Sequence, residues 1–177
     1  MLAKVSLFAL LSFCIVQQPA AQIAHESGND SGMYQCTPCG NSCDSALYNG
    51  VGTCPHCKMS LVKKSTITFK TIEPSSICEY ISSHNNVVLL DVRTKDEFEG
   101  KADPEFGTLR NAINVPVQEL ESRINELNKW KKKDIIVYCS HSHRSSVASY
   151  LLTQNGFTNI TNMSGGMSAM KDNTCKK

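Results

Sequence analysis

The sequence predicts an α/β chain in which a small parallel sheet, flanked by helices on both faces, follows a small cysteine-rich metal module. Three observations carry this expectation. Two continuous apolar runs, Val87 to Val92 and Ile135 to Tyr138, read as strands buried on both faces, as a parallel sheet requires. Segments with one apolar face lie around them: Ile77, Cys78 and Ile81; Val117, Leu120, Ile124 and Leu127; Val147, Ala148, Leu151 and Leu152. Ahead of both runs stand two Cys-x-x-Cys pairs, Cys36 with Cys39 and Cys54 with Cys57, fourteen residues apart.

Taken in order, residues 1–21 resemble an export signal: Lys4, an apolar run from Val5 to Val16, then Pro19-Ala20-Ala21. That run is too short to span a bilayer. Cys14 follows the bulky Phe13, which argues against a lipid-anchored cysteine and for export to the periplasm or the extracellular side. Residues 22–33 are polar and read as a linker.

Residues 34–64 form the cysteine-rich module. Two knuckles at this spacing offer four thiolates, Cys36, Cys39, Cys54 and Cys57, to one tetrahedral ion, as zinc requires. About thirty residues with few large apolar side chains hold no core unaided, so a structural metal supplies what burial does not. The segment resembles small heavy-metal-binding or zinc-ribbon modules with the pattern YxCPxH…GxCPxCGMxL, here Tyr34-Gln35-Cys36 and Gly52 to Val62. Cys39 stands where that pattern has His, a shift that favours zinc over a softer transported metal and leaves copper open. Disulfides are the rival reading in an oxidising compartment. Cys43 stays open between replacing a knuckle ligand, pairing with another thiol and remaining free. His56 is expected to be exposed in its knuckle.

Residues 65–177 carry the α/β domain. Ser65 to Lys70 alternates polar and apolar like a half-buried edge strand. Pro74 suits the first turn of the helix bearing Ile77, Cys78 and Ile81, where Cys78 reads as inert core. Asp91 and Arg93 close the Val87 strand and are expected to form an ion pair bracing the neighbouring loop. Pro116 opens the next helix. The cluster Lys129, Lys131, Lys132 and Lys133 around Trp130 reads as a solvated turn. With a formal charge of +2 and 19% charged residues, nothing points to a nucleic-acid partner. Cys175 falls in a polar tail and reads as exposed, or as a resolving thiol.

The stretch that organises this domain is Cys139-Ser140-His141-Ser142-His143-Arg144-Ser145, placed where the Ile135 strand hands over to a helix ended by Asn155-Gly156. Open α/β sheets bind ligands at that edge, and loop amides with a helix N-terminus favour an anion there. A thiol so placed, with Arg144 beside it, is held largely as thiolate and is a candidate nucleophile. Two His, an Arg and three Ser directly after Cys139 make a poor core segment, which argues against a merely structural cysteine.

At these residues the chain resembles the rhodanese (thiosulfate sulfurtransferase) superfamily, whose active-site loop looks like Cys139-x4-Arg144-Ser145. Leu90-Asp91-Val92-Arg93 with Glu97-Phe98 is similar to its DVR…EF signature, and Gly107 to Pro116 to its GHIPGAINIP segment. Gly156 to Ile160 and Ser164-Gly165-Gly166-Met167 look like its closing strand and GG turn. The likeness covers about residues 66 to 177, with Thr108 in place of the usual His and Ser142 in place of the usual Gly. The resemblance implies a rhodanese-like fold and transfer of sulfane sulfur, by a Cys139 persulfide, from a donor such as thiosulfate to a thiol or cyanide acceptor. It implies Cys139 and Arg144 as catalytic groups, a substrate loop of Ser140, His141, Ser142, His143 and Ser145, and no cofactor for the chemistry.

Two other classes compete. A phosphatase or arsenate reductase of related design looks like Cys-x5-Arg, one residue longer than this loop. A non-catalytic sulfur carrier or partner- or metal-binding module is favoured by Ser142 alone, because side chains tolerate positive φ less well than glycine.

Overall fold

The computed structural model describes residues 32–177; the expected signal and almost all of the linker lie outside the described residues. Five parallel strands form the main sheet: β3 (Lys70–Ile72), β4 (Val88–Asp91), β5 (Ile113–Asn114), β6 (Asp134–Tyr138) and β7 (Asn159–Met163), in spatial order β3-β7-β6-β4-β5. A two-stranded antiparallel ribbon, β1 (Tyr34–Gln35) with β2 (Val62–Lys63), frames the cysteine-rich module. No helix among the described residues is long and apolar enough to cross a membrane.

The sheet's two faces follow from the alternation of side chains along each strand. Leu90, Ile135, Val137 and Ile160 face one core, where α3 (Val117–Arg123) contributes Leu120 and α4 (His143–Gln154) contributes Ala148 and Leu152. Leu89, Ile136, Tyr138 and Met163 face the other, against Ile77 and Cys78 of α1 (Ile77–Ser83). The pairing of Leu90 with Val137 and Asp91 with Tyr138 brings the ends of β4 and β6 level. Asp91, Arg93 and Cys139 therefore meet at one edge of the sheet, with β7 running alongside.

Three elements differ from the sequence reading. The edge strand is Lys70–Ile72 rather than residues 65–70, because β7, its sheet partner among the described residues, offers Thr161 to Met163 in register. Lys64–Thr66 is a 3₁₀ turn. On α4, Val147 points to solvent, and the buried face is Ser145, Ser146, Ala148, Ser149 and Leu152. Small side chains let that helix lie close on the sheet, a pattern that hydrophobicity alone does not reveal.

The third difference is covalent. Cys78 and Cys175 form a disulfide, so neither an inert core thiol nor an exposed tail residue describes them. The tail is pinned as well: the Arg110 amide donates to the Cys175 carbonyl, and the Lys177 amide to Thr108. A cross-link spanning 97 residues removes loop-closure entropy from the unfolded chain. Cys175→Ser should therefore lower unfolding stability by about 2–5 kcal/mol, read as an earlier denaturant midpoint with a steeper slope, because the unfolded chain without the cross-link exposes more surface. A midpoint equal to the wild type's would show that the bridge constrains nothing.

Candidate active site and thiol cluster

Cys139 follows β6 directly and is 1% exposed. Its thiol donates to the Ser145 hydroxyl at 3.5 Å, and that hydroxyl donates to the Ser142 carbonyl at 3.1 Å. The loop is held from outside by its carbonyls. Met167 N–H donates to the Cys139 carbonyl at 2.9 Å and Ser168 N–H to the Ser140 carbonyl at 3.0 Å. Gly166 permits this approach: a β-carbon there would sit 2.6 Å from the Cys139 oxygen and 2.5 Å from the Ser140 oxygen. With these carbonyls turned outward and α4 beginning at His143, the amides of its first turn have no intrahelical acceptors and are available to an anion.

Ser142 takes the conformation for which glycine is usually selected, with φ +70°. A side chain there costs about 1 kcal/mol. The Asn162 side-chain amide offsets this by donating to the Ser142 hydroxyl at 3.0 Å, and the same nitrogen donates to the Pro38 carbonyl at 3.1 Å. The loop thus keeps its curl without glycine.

Arg144 is committed to a partner that the sequence reading missed. Its guanidinium grips Glu97 with two bonds of 2.6 Å, while the Ser140 hydroxyl donates to the same carboxylate at 2.9 Å. Glu97 also accepts from the Thr94 amide and hydroxyl, capping α2 (Lys95–Phe98). Hydrogen bonds from Arg144, ahead of those from Thr94 and Ser140, hold the Glu97 carboxyl well below the usual carboxylate range. Arg144 is correspondingly pushed up, by its hydrogen bonds to Glu97 first. The Glu-Phe pair of the resembling signature was the available clue.

Asp91 and Arg93 form the expected ion pair, fully buried, with Nη2 of Arg93 2.7 Å from Asp91; the same nitrogen donates to the Gly107 carbonyl and Thr108 hydroxyl, so the pair braces that segment. Thr108 thus serves this brace as an acceptor and in turn donates to the Phe98 carbonyl. Of the remaining loop residues, Ser140, Ser142 and Ser145 are buried with their hydroxyls engaged inside the protein. His141 and His143 are exposed. His141 lies edge-on to Phe106, and His143 Nε2 sits 3.1 Å from the Asn41 amide.

The cysteine-rich module gathers a different quartet from the one the spacing suggested. The sulfurs of Cys36, Cys43, Cys54 and Cys57 lie within 4.8 Å of one another, and Cys36 and Cys43 are 3.7 Å apart. A tetrahedron with metal–sulfur bonds of 2.3 Å has edges of about 3.8 Å, so four soft donors here fit a metal ion. Cys39 is the member that the structure excludes. Asp44 accepts from the Cys39 and Gly40 amides at 2.9 and 2.7 Å and turns the knuckle, leaving the Cys39 thiol against Asn41 and Asp44. Burial raises Cys39 to about 11, with the Asp44 charge adding to it. Burial and the crowding of neighbouring thiols raise Cys43 to about 12 and Cys36 further still. Cys54 moves the other way: burial opposes its ionisation, but the Cys57 and His56 amides outweigh that and lower it to about 6. A cation among the four sulfurs would relieve that crowding.

Comparison with known proteins agrees with the fold of the main domain. Residues 78–173 match the rhodanese-like domain family. The chain is 36% identical to the uncharacterized protein YqhL of Bacillus subtilis over 88 residues, half of this chain and 64% of that relative. It is 28% identical over 98 residues to a sulfurtransferase of Allochromatium vinosum, covering 55% of this chain and 84% of that one. The chain spans less than two thirds of YqhL and about a third of the tRNA uridine(34) hydroxylases that it also matches. Among solved structures, a rhodanese-like domain protein of Staphylococcus aureus superposes with a TM-score of 0.50 at 25% identity, over 60% of this chain and 96% of that one.

Proposed function

The chain belongs to the rhodanese-like domain family, and from that premise we propose that it moves sulfane sulfur from an anionic donor to a thiol or to cyanide through Cys139. With thiosulfate, the Cys139 thiolate attacks the outer sulfur, the S–S bond of the donor breaks, and sulfite leaves with the bonding pair. Cys139 then carries a persulfide. An acceptor thiolate or cyanide attacks its outer sulfur, releasing a new persulfide or thiocyanate and restoring the thiolate.

The observation that carries this reading is the curl of residues 139–145. The Cys139 and Ser140 carbonyls are taken up from outside by Met167 and Ser168, and the Cys139 sulfur sits beside Ser145 in the first turn of α4. A tight cradle of amides stabilises both the thiolate and the departing anion. Four residues between Cys139 and Arg144 leave the loop one shorter than the phosphatase pattern, which favours a single sulfur atom over a tetrahedral phosphoryl group. Ser142 holds the positive φ that a glycine would take there, which supports a working loop over a non-catalytic module. The test is thiocyanate formation from thiosulfate and cyanide; hydrolysis of phosphate esters with no thiocyanate would hand the site to the phosphatase reading.

The module's part in the proposal is structural: one zinc ion held by Cys36, Cys43, Cys54 and Cys57. Four thiolates close the coordination sphere, so no metal-bound water is available for chemistry. Cys43→Ser should lose the metal, whereas Cys39→Ser should retain about one equivalent, as a closed site of four requires. Elemental analysis of protein purified without reductant reads both. Retention in Cys43→Ser with loss in Cys39→Ser would restore the paired-knuckle ligand set. Export to an oxidising compartment completes the reading, supported by the N-terminal apolar run and the Cys78–Cys175 bridge.

A further inference from the structure

The segment that docks on the Cys139 loop is the one strung between the first two members of the thiol cluster. Residues 37–42 lie between Cys36 and Cys43, and three contacts tie them to the active-site edge. Asn41 meets His143 at 3.1 Å, Asn162 bridges the Pro38 carbonyl to the Ser142 hydroxyl, and the Gly165 amide points at the Cys39 carbonyl at 3.5 Å. The fit at the centre is close. Gly40 has φ +89°, and a β-carbon there would lie 3.2 Å from both the Gly165 nitrogen and the Ser164 β-carbon. In the neighbouring loop Cys139 and Ser140 are 1% exposed and Ser142 is fully buried.

We propose that metal binding at Cys36, Cys43, Cys54 and Cys57 clamps residues 37–42 as a cap over the Cys139 loop, so that the module sets access of donor and acceptor to the nucleophilic sulfur. The inference rests on the cluster and nucleophile assignments made above. Its physical basis is loop closure: a metal joining both ends of a six-residue segment removes most of that segment's freedom, and the docked conformation becomes cheap to hold. Without the metal the ends separate, and three modest contacts do not repay the ordering of six residues. Asp44 strengthens the coupling. It follows the ligand Cys43 directly, and its carboxylate shapes the turn that presents Gly40 and Asn41.

Alkylation of Cys139 measures the cap independently of sulfur transfer. The full chain, loaded with zinc, is treated with iodoacetamide, and Cys139 is followed by peptide mass spectrometry so that Cys39 and the cluster thiols are scored separately. Zinc-loaded protein should protect Cys139, and chelation should accelerate its modification severalfold. Gly40→Val, which crowds the docked segment without touching a ligand, should accelerate it with zinc retained. Asn41→Ala should do so by a smaller factor, and it decides the matter if Gly40→Val fails to hold metal. Equal Cys139 rates in loaded protein, chelated protein and Asn41→Ala would overturn the cap. Absence of any sulfur on Cys139 after thiosulfate would instead count against the sulfur-transfer reading, and the alkylation rates would still report on the cap.

Discussion

Cys139→Ser should form no thiocyanate from thiosulfate and cyanide, while Cys39→Ser and wild type both turn over. The loss is complete because the reaction needs an atom that is both a strong nucleophile and able to hold a second sulfur. A serine hydroxyl is neither, even within the same amide cradle. The substitution should leave the fold intact. Oxygen replaces sulfur at the end of β6, and Ser145, 3.5 Å away, remains as a hydrogen-bond partner. An unchanged melting midpoint would thus separate lost chemistry from lost structure. Residual turnover in Cys139→Ser would move the nucleophile elsewhere, with Cys39, a free thiol outside the cluster among the described residues, the first to examine.

The second large effect is expected at Glu97. Glu97→Gln keeps the shape but removes the charge that faces Arg144, leaving a half-buried guanidinium without its counter-ion. Removing one partner from such a pair costs about 3 kcal/mol, and the damage should reach the chemistry because Ser140 and Arg144 both hang from this carboxylate. Donor KM should rise and turnover fall together, since the cradle itself loosens. Arg144→Lys should recover only part of what Arg144→Ala loses, because an ammonium cannot supply two parallel bonds. The pH dependence has a defined sign. Glu97 is held below its unfolded value, so its contribution is complete above the ordinary carboxylate range and is lost as pH falls towards the folded value. Wild-type loop integrity, followed by Cys139 alkylation, should therefore outlast that of Glu97→Gln on acidification. Identical acid profiles for the two proteins would contradict the brace.

Much of the main domain was legible because its signals are local. The Ile135 strand, the polar loop and the Asn155-Gly156 stop follow one another without a break, so Cys139 could be placed at a strand-to-helix junction from sequence alone. The Asp91–Arg93 brace was legible for the same reason. What escaped depends on distance in the chain or on competing local bonds. Glu97 and Arg144 are 47 residues apart, and Cys78 and Cys175 are 97 apart, so only the topology brings them together. The metal quartet failed on a subtler point. Cys36-x-x-Cys39 has the spacing of a knuckle, but Asp44 accepts from the Cys39 and Gly40 amides and holds the Cys39 thiol aside, and Cys43 takes its place in the quartet. The exposed Val147 shows a further limit, since the seryl face of α4 was chosen by close packing rather than by hydrophobicity.

The most direct test of sulfur transfer is peptide-resolved mass spectrometry of the full chain after incubation with thiosulfate and removal of excess donor. The persulfide mechanism predicts one additional sulfur atom, confined to the peptide bearing Cys139 and discharged by cyanide as thiocyanate. An unmodified Cys139 peptide, or sulfur found on Cys39 or the cluster thiols in its place, would contradict it.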